Sequence, residues 1–246
     1  MSDRNPDTDR DYFATIADTY DRLQPIVAGP SYERGLAMIM DLVPHEPKDD
    51  FAFVELGCGT ATLTNMLLDH FPRARGLAVD GEAAMLEIAR QKLVSYGPRA
   101  TVEQADVLSY RPPDCDVVVS SFVFHHFPPE KLPETFGRIA SALRPGGCLI
   151  LLDQMTVGPA WGKRVGAQGW RLVRRHTAEA VAAGLATQEE VDARFAFKRT
   201  MKEEGKDVEY RHRAEGLLVA MAEAGFSEAG IVWRHFAATV LTAFAE

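Results

Sequence analysis

The sequence predicts an α/β protein built on a doubly wound, seven-stranded, mostly parallel sheet with an antiparallel last strand, and three observations carry that prediction. Apolar runs alternate with amphipathic stretches through residues 51–153, the pattern of parallel strands linked by crossover helices. A glycine-rich turn, "ELGCGTA", follows the first of those runs. The runs at 229–236 and 237–244 are joined too tightly for a crossover, which makes them an antiparallel pair.

Each element has its own warrant. Residues 1–50 form an acidic arm that reads as helical at "DYFATIADTYDRL". "FAFVEL" is the first buried strand, and "ATLTNMLLDHF" places Leu63, Met66 and Leu67 at helical spacing before Pro72 closes the unit. "RGLAVD" is the second strand, and the helix after it puts Met85, Ile88, Ala89 and Leu93 on one face before Gly97-Pro98 stops it. "ATVEQADVL" alternates as a third strand, and the β-branched "CDVVVSSFVF" is a fourth, central one. Leu132, Phe136, Ile139, Ala140 and Leu143 mark the next helix, which turns through "RPGG" into a fifth strand. "AEGLLVAMAEAGF" is a helix ended by Gly225, and two closing strands follow it.

Size and charge set limits on function. With 246 residues and 46% hydrophobic content, the chain can bury one large core as a single domain. That domain divides into the 1–50 arm, a 51–153 ligand-binding core, a 154–213 helical insertion that covers the active site, and a 214–246 closing unit. A net charge of −8 disfavours a nucleic-acid partner. Cys58, Cys115 and Cys148 are odd in number and lack metal-ligand spacing, so neither a disulfide framework nor a metal is expected. The start of the chain has no signal-peptide pattern and no run reaches membrane-span length, which points to the cytoplasm.

In doubly wound sheets the ligand sits at the carboxyl ends of the strands, so "ELGCGTA" is its natural place. Gly57, Gly59 and an acidic residue at Asp80 overlap the dinucleotide fingerprint, but Thr62 stands at the third glycine. Glu55 decides between ligands. A carboxylate beside a pyrophosphate adds poorly screened like-charge repulsion, whereas a cationic ligand is stabilised there. S-adenosylmethionine carries a sulfonium and an ammonium, has no phosphate, and has a ribose diol for Asp80 to accept from.

On these residues the chain resembles the class I S-adenosylmethionine-dependent methyltransferases of small-molecule type, from about residue 12 to the C-terminus. "VELGCGTA" resembles their E/D-x-G-x-G-x-G loop, with Ala61 for the last glycine, and spans Glu55, Gly57, Cys58 and Gly59. The resemblance implies a Rossmann-like fold, with the ribose hydroxyls on Asp80 beside Gly81 and the adenine near Met85. It further implies an exocyclic amine on Asp106, a ring nitrogen on the Val107 backbone, and a cofactor contact at Ser120 in "DVVVSSFVFHHF". Tyr12 and Tyr20 resemble residues that close over the methionine part of the cofactor, with Tyr12 also set toward the substrate. S-adenosylhomocysteine would be the product.

Methyl transfer from a sulfonium is an in-line displacement that depends chiefly on orientation. His125 and His126 follow the fourth strand where an acceptor must approach and are the candidates for a general base. In residues 154–213, twelve Lys and Arg stand against eight Asp and Glu, with Trp161, Trp170 and Phe195 among them. Trp170, Arg174 and Arg199 are therefore candidate contacts to a small anionic or polar acceptor, since a guanidinium fork matches a carboxylate. The C-terminal third also faintly resembles carboxy-S-adenosylmethionine synthases, in which Arg199 would meet the extra carboxylate. An NAD-type oxidoreductase and a non-catalytic or RNA-modification module are the alternatives from other classes. A homodimer is left open.

Overall fold

The computed structural model describes residues 6–156, 158–210 and 212–246, with the side chains of residues 6–14 and 159–161 outside that description. Helices α1 (Pro6–Ala28) and α2 (Ser31–Leu42) precede the sheet. The core then runs β1 (Ala52–Leu56), α3 (Thr62–His70), β2 (Arg75–Asp80), α4 (Ala83–Leu93), β3 (Ala100–Gln104), β4 (Cys115–Ser121), α5 (Leu132–Ala140) and β5 (Leu143–Gln154). Helices α6 (Pro159–Ala182) and α7 (Gln188–Glu203) lie between β5 and the closing elements α8 (Ala214–Glu223), β6 (Glu228–His235) and β7 (Ala238–Phe244).

One seven-stranded sheet has the order β3-β2-β1-β4-β5-β7-β6. β1 to β5 pair in parallel, while β7 slots antiparallel between β5 and β6. This is the expected sheet. Strand order reverses between β1 and β4, so the carboxyl ends of those two strands open a crevice at the switch point. Helices cover both faces. Leu36, Leu67, Leu86 and Val119 lie in one buried cluster, and Val118, Phe136, Leu151 and Leu217 in the other.

The pairing of β1 with β2 shows how tightly side chains pack on the sheet. A Cβ on Gly76 in β2 would stand 2.4 Å from the Phe53 ring, so only glycine admits that ring between the strands. Helix α4 ends at Leu93 and continues as a 3-10 turn over Val94–Arg99, in which Gly97 takes a positive φ. Among the described residues, no helix is long and apolar enough to cross a membrane.

Candidate active site

At the end of β1 the chain turns sharply through Gly57 (φ +74°) and Gly59 (φ +51°) into α3. The N–H groups of Gly57 and Cys58 both donate to the Val79 carbonyl on β2, which locks the turn to the neighbouring strand. The residue before α3, Ala61, has φ 58° and no capping side chain. Glu55 supplies the cap from β1: its Oε2 accepts from the Thr64 N–H at 2.9 Å and the Thr64 hydroxyl at 2.5 Å. A helix start thus rests on a strand carboxylate.

Burial pushes the Glu55 carboxyl up to about 8, against the two Thr64 hydrogen bonds, and the nearby Asp80 adds to the rise. Asp80 is raised for the same first reason, although its two oxygens accept from Gly59 N–H at 2.7 Å and Glu82 N–H at 2.9 Å. Two neighbouring carboxylates in one cavity thus lack a full counter-charge. Burial thus favours the protonated form of the Glu55 carboxyl.

These residues open onto a cavity of about 640 Å³. Glu55, Gly57, Cys58, Gly59, Asp80 and Gly81 line one side of it. Met85, Asp106, Val107, Tyr20 and His126 also line it. Asp106 organises its own loop, taking the Leu108 N–H and the Ser109 hydroxyl at 3.1 Å each. Helix α1 is tied over the glycine turn by Asp21, which accepts from Thr60 at 2.5 Å and Thr62 at 3.1 Å and pairs with Lys92 at 2.7 Å.

A second cavity of about 390 Å³ lies between α1, α6, α7 and the ends of β5 and β7. Tyr20, Tyr32, Phe122, His126 and Asp207 line both cavities and so form their junction. Phe122 sits there with φ 58°, a strained conformation for a side chain of that size. Gly166 and Gly169 on α6 line the second cavity, and a Cβ on Gly166 would enter open space.

The two histidines part ways. His125 is buried against the second cavity, with Nδ1 2.5 Å from Asp153 Oδ1 and its backbone N–H donating to Asp153 Oδ2 at 3.0 Å. Burial pulls its pKa down, but the Asp153 charge outweighs that and leaves it raised. His126 donates from Nδ1 to the Val208 carbonyl at 3.0 Å, which places the proton there and makes Nε2 the basic atom. Burial, with His125 beside it, drives His126 down to about 3.

Three sequence expectations, for Ser120, Arg174 and Arg199, are corrected. Ser120 is fully buried and its hydroxyl donates to the Leu56 carbonyl at 2.7 Å, while Ser121 reaches the first cavity; strand alternation turns Ser120 the other way. His125 lines the second cavity, and His126 lines both. Arg174 and Arg199 are exposed and line neither cavity. Trp170 does line the second cavity, and the side chain of Tyr12 lies outside the described residues. Arg194, Lys198, Asp207 and Glu209 line the second cavity and were not anticipated. Among the described residues, no group of three or more His, Cys, Asp or Glu could hold a metal ion.

The family description "Methyltransferase domain" matches residues 53–147. Carboxy-S-adenosyl-L-methionine synthase of Campylobacter lari is 28% identical over 126 residues, covering 51% of this chain and 54% of that protein. Trans-aconitate 2-methyltransferase of an Azoarcus species is 36% identical over 115 residues, covering 45% of this chain and 42% of that protein. This chain thus spans about half the length of such curated relatives. Among solved structures, magnesium protoporphyrin IX methyltransferase from Synechocystis, with bound SAH, superposes with a TM-score of 0.62 at 17% identity and covers 98% of this chain and 100% of that one. Residues 53–147 are thus similar to a methyltransferase domain, and the chain has the class I S-adenosylmethionine-dependent methyltransferase fold.

Proposed function

We propose that this protein is an enzyme that transfers a methyl group from S-adenosylmethionine, bound in the first cavity, to a small acceptor held in the second. The observation that carries the reading is the shared wall of the two cavities, where Tyr20, Tyr32, Phe122, His126 and Asp207 face both. A volume of about 640 Å³ falls in the range of small-molecule and cofactor sites. Glu55 and Asp80, both raised by burial, suit a ligand that brings positive charge. When bound, the cofactor supplies a methyl group already activated by its sulfonium. Asp80 is assigned to the ribose hydroxyls, Asp106 and Val107 to the adenine, and Glu55 to the cationic end.

Helices α6 and α7 serve as the lid that shapes the acceptor site. Orientation by that enclosure is what methyl transfer chiefly needs. The carboxy-S-adenosylmethionine synthase reading loses support, because Arg199, the residue it needs, is exposed outside both cavities. We place the protein in the cytoplasm, where the thiols of Cys58, Cys115 and Cys148 stay reduced, and sedimentation of the purified chain tests for a homodimer. The first test is calorimetry: S-adenosylhomocysteine should bind and NAD should not, and the reverse result would end this reading.

Two further outcomes are expected. The Glu55 carboxyl, at about 8 in the folded protein against an ordinary 4.5, keeps a proton that the unfolded chain has released between those values. Its contribution therefore lowers the stability of the unliganded fold as pH rises through that window. Binding a sulfonium favours the ionised form, so S-adenosylmethionine affinity should rise from pH 6 to about 8, by up to roughly tenfold per unit, then level off. Calorimetry in buffers of different ionisation enthalpy should detect proton release at pH 7, which Glu55→Gln abolishes.

The second concerns Gly166, where added side chain enters the second cavity. Gly166→Phe should lower methyl transfer by about tenfold or more while leaving S-adenosylhomocysteine affinity within roughly twofold. The check is label transfer from methyl-labelled cofactor to a panel of small acids, amines and phenols.

A further inference from the structure

Asp207 stands at the junction of the two cavities, follows the end of α7, and is 6% exposed. Its Oδ2 is buried and has no hydrogen-bond partner among the described residues, and its Oδ1 lies 3.9 Å from His126 Nδ1. A buried carboxylate oxygen without a donor is costly in a folded protein. The neighbouring carboxylate is treated differently: Glu209 pairs with Lys198 at 3.1 Å and also with Lys202.

We propose that the second cavity takes a neutral acceptor with a hydroxyl group on an apolar body, and that Asp207 Oδ2 receives the hydrogen bond and then the proton of that hydroxyl. The proposal rests on the methyltransferase reading of the two cavities. An acidic acceptor would set a second carboxylate against Asp207 where screening is poor. An ammonium would meet Arg194, Lys198 and Lys202 on the same wall, with Glu209 offsetting part of their charge. A neutral hydroxyl meets neither penalty and supplies the missing donor.

The remaining wall accepts an apolar body, through Val165, Leu172, Val173, Phe195 and Phe236. In the balanced step, the acceptor oxygen forms the bond to the methyl carbon as the carbon–sulfur bond breaks. The sulfur keeps the electron pair, S-adenosylhomocysteine leaves uncharged at sulfur, and the hydroxyl proton passes to Asp207. Burial raises the Asp207 pKa, with Lys198 opposing, the direction that suits a proton acceptor.

The test uses the full chain saturated with S-adenosylhomocysteine and four probes that share one ring system: 2-naphthol, 2-methoxynaphthalene, 2-naphthoate and 2-(aminomethyl)naphthalene. Binding is read by fluorescence titration. 2-Naphthol should bind about tenfold or more tightly than each of the others. Asp207→Leu should erase its lead over 2-methoxynaphthalene and raise the Tm of the unliganded protein, because it removes an unsatisfied buried carboxylate. A residue serving only the fold would lower Tm on the same change.

If S-adenosylhomocysteine itself fails to bind the wild type, the methyltransferase reading fails. If it binds, the proposal is overturned when the naphthoate or the amine equals the naphthol, when no probe binds, when Asp207→Leu keeps the naphthol's lead, or when that variant loses thermal stability. Should Asp207→Leu not fold, Asp207→Asn decides, since it keeps the shape and must lower 2-naphthol affinity for the proposal to stand.

Discussion

Replacing Asp153 with alanine should cost about 3–5 kcal/mol of folding stability, the usual penalty for breaking a buried ion pair. Thermal denaturation checks it, at roughly 2–4 °C per kcal/mol for a chain of this size. Asp153 is 1% exposed at the end of β5. It holds His125 through Nδ1 at 2.5 Å and through the backbone N–H at 3.0 Å, and accepts its neighbour Gln154 N–H at 2.6 Å. One carboxylate therefore fixes the loop leaving β4 to the adjacent strand. Removing it takes the acceptor away from the imidazole and two backbone donors, and a buried donor left without its partner is costly.

The pH dependence has a definite sign. The His125 pKa is raised in the fold: burial lowers it, the Asp153 charge and hydrogen bond overcome that, Glu209 adds to the rise and Lys198 opposes it. A raised histidine contributes stability that is fully present below its ordinary value of 6.5 and is lost as pH rises through the folded-state value. The gap in Tm between wild type and Asp153→Ala should therefore be widest in mildly acidic buffer and narrow toward alkaline pH. Equal gaps at pH 6 and pH 9 would mean that the pair is held by hydrogen bonding alone. Asp153→Asn, which keeps an oxygen for His125, should lose less than the alanine variant.

His125 also illustrates what the sequence could and could not convey. "FHHF" announces two histidines at the mouth of the sheet, but which one meets a carboxylate depends on Asp153, 28 residues away on another strand. The sheet itself was legible, because buried parallel strands must be apolar throughout and the crossover helices must show one apolar face. The glycine turn was legible for a similar reason, since glycine is the residue that takes positive φ at least cost, as Gly57 and Gly59 do here.

The acceptor side was harder. The sequence pointed to Arg174 and Arg199, yet Arg174 is exposed while Arg194, which it passed over, is buried in the cavity wall. A signal was present on α6: Gly162, Gly166, Gly169 and Val173 recur at i, i+4, i+7 and i+11, which marks one face of a helix. Arg171 and Arg175 fall on the opposite side of that wheel. Asp207 carried no such mark, because it lies beyond the helix end and its partnerless oxygen is a property of the packed structure alone.

Gly57→Ala should destabilise the protein by about 2–5 kcal/mol, the sum of a left-handed backbone on a residue with a Cβ and an overpacked contact. Gly57 has φ +74°, and its added Cβ would stand 2.2 Å from Val123 Cγ2 and 2.8 Å from Cγ1. Val123 cannot simply rotate away, because a β-branched side chain has few alternative rotamers. Relief must come from the chain that leads into Phe122, His125 and His126, so the damage spreads to both cavities. Gly59→Ala is the contrasting case. Gly59 has φ +51° but nothing within 4 Å of an added Cβ, so the backbone penalty of about 1–2 kcal/mol stands alone. Its new methyl group enters the space assigned to the cofactor. Gly57→Ala should thus show chiefly as a lowered Tm, and Gly59→Ala chiefly as weakened S-adenosylhomocysteine binding. Adding Val123→Ala to Gly57→Ala should restore part of the lost stability, since it removes the clash and leaves only the backbone term. If the double variant is no more stable than Gly57→Ala, the contact with Val123 is not what excludes a side chain at this turn, and the conformation at positive φ carries the whole requirement.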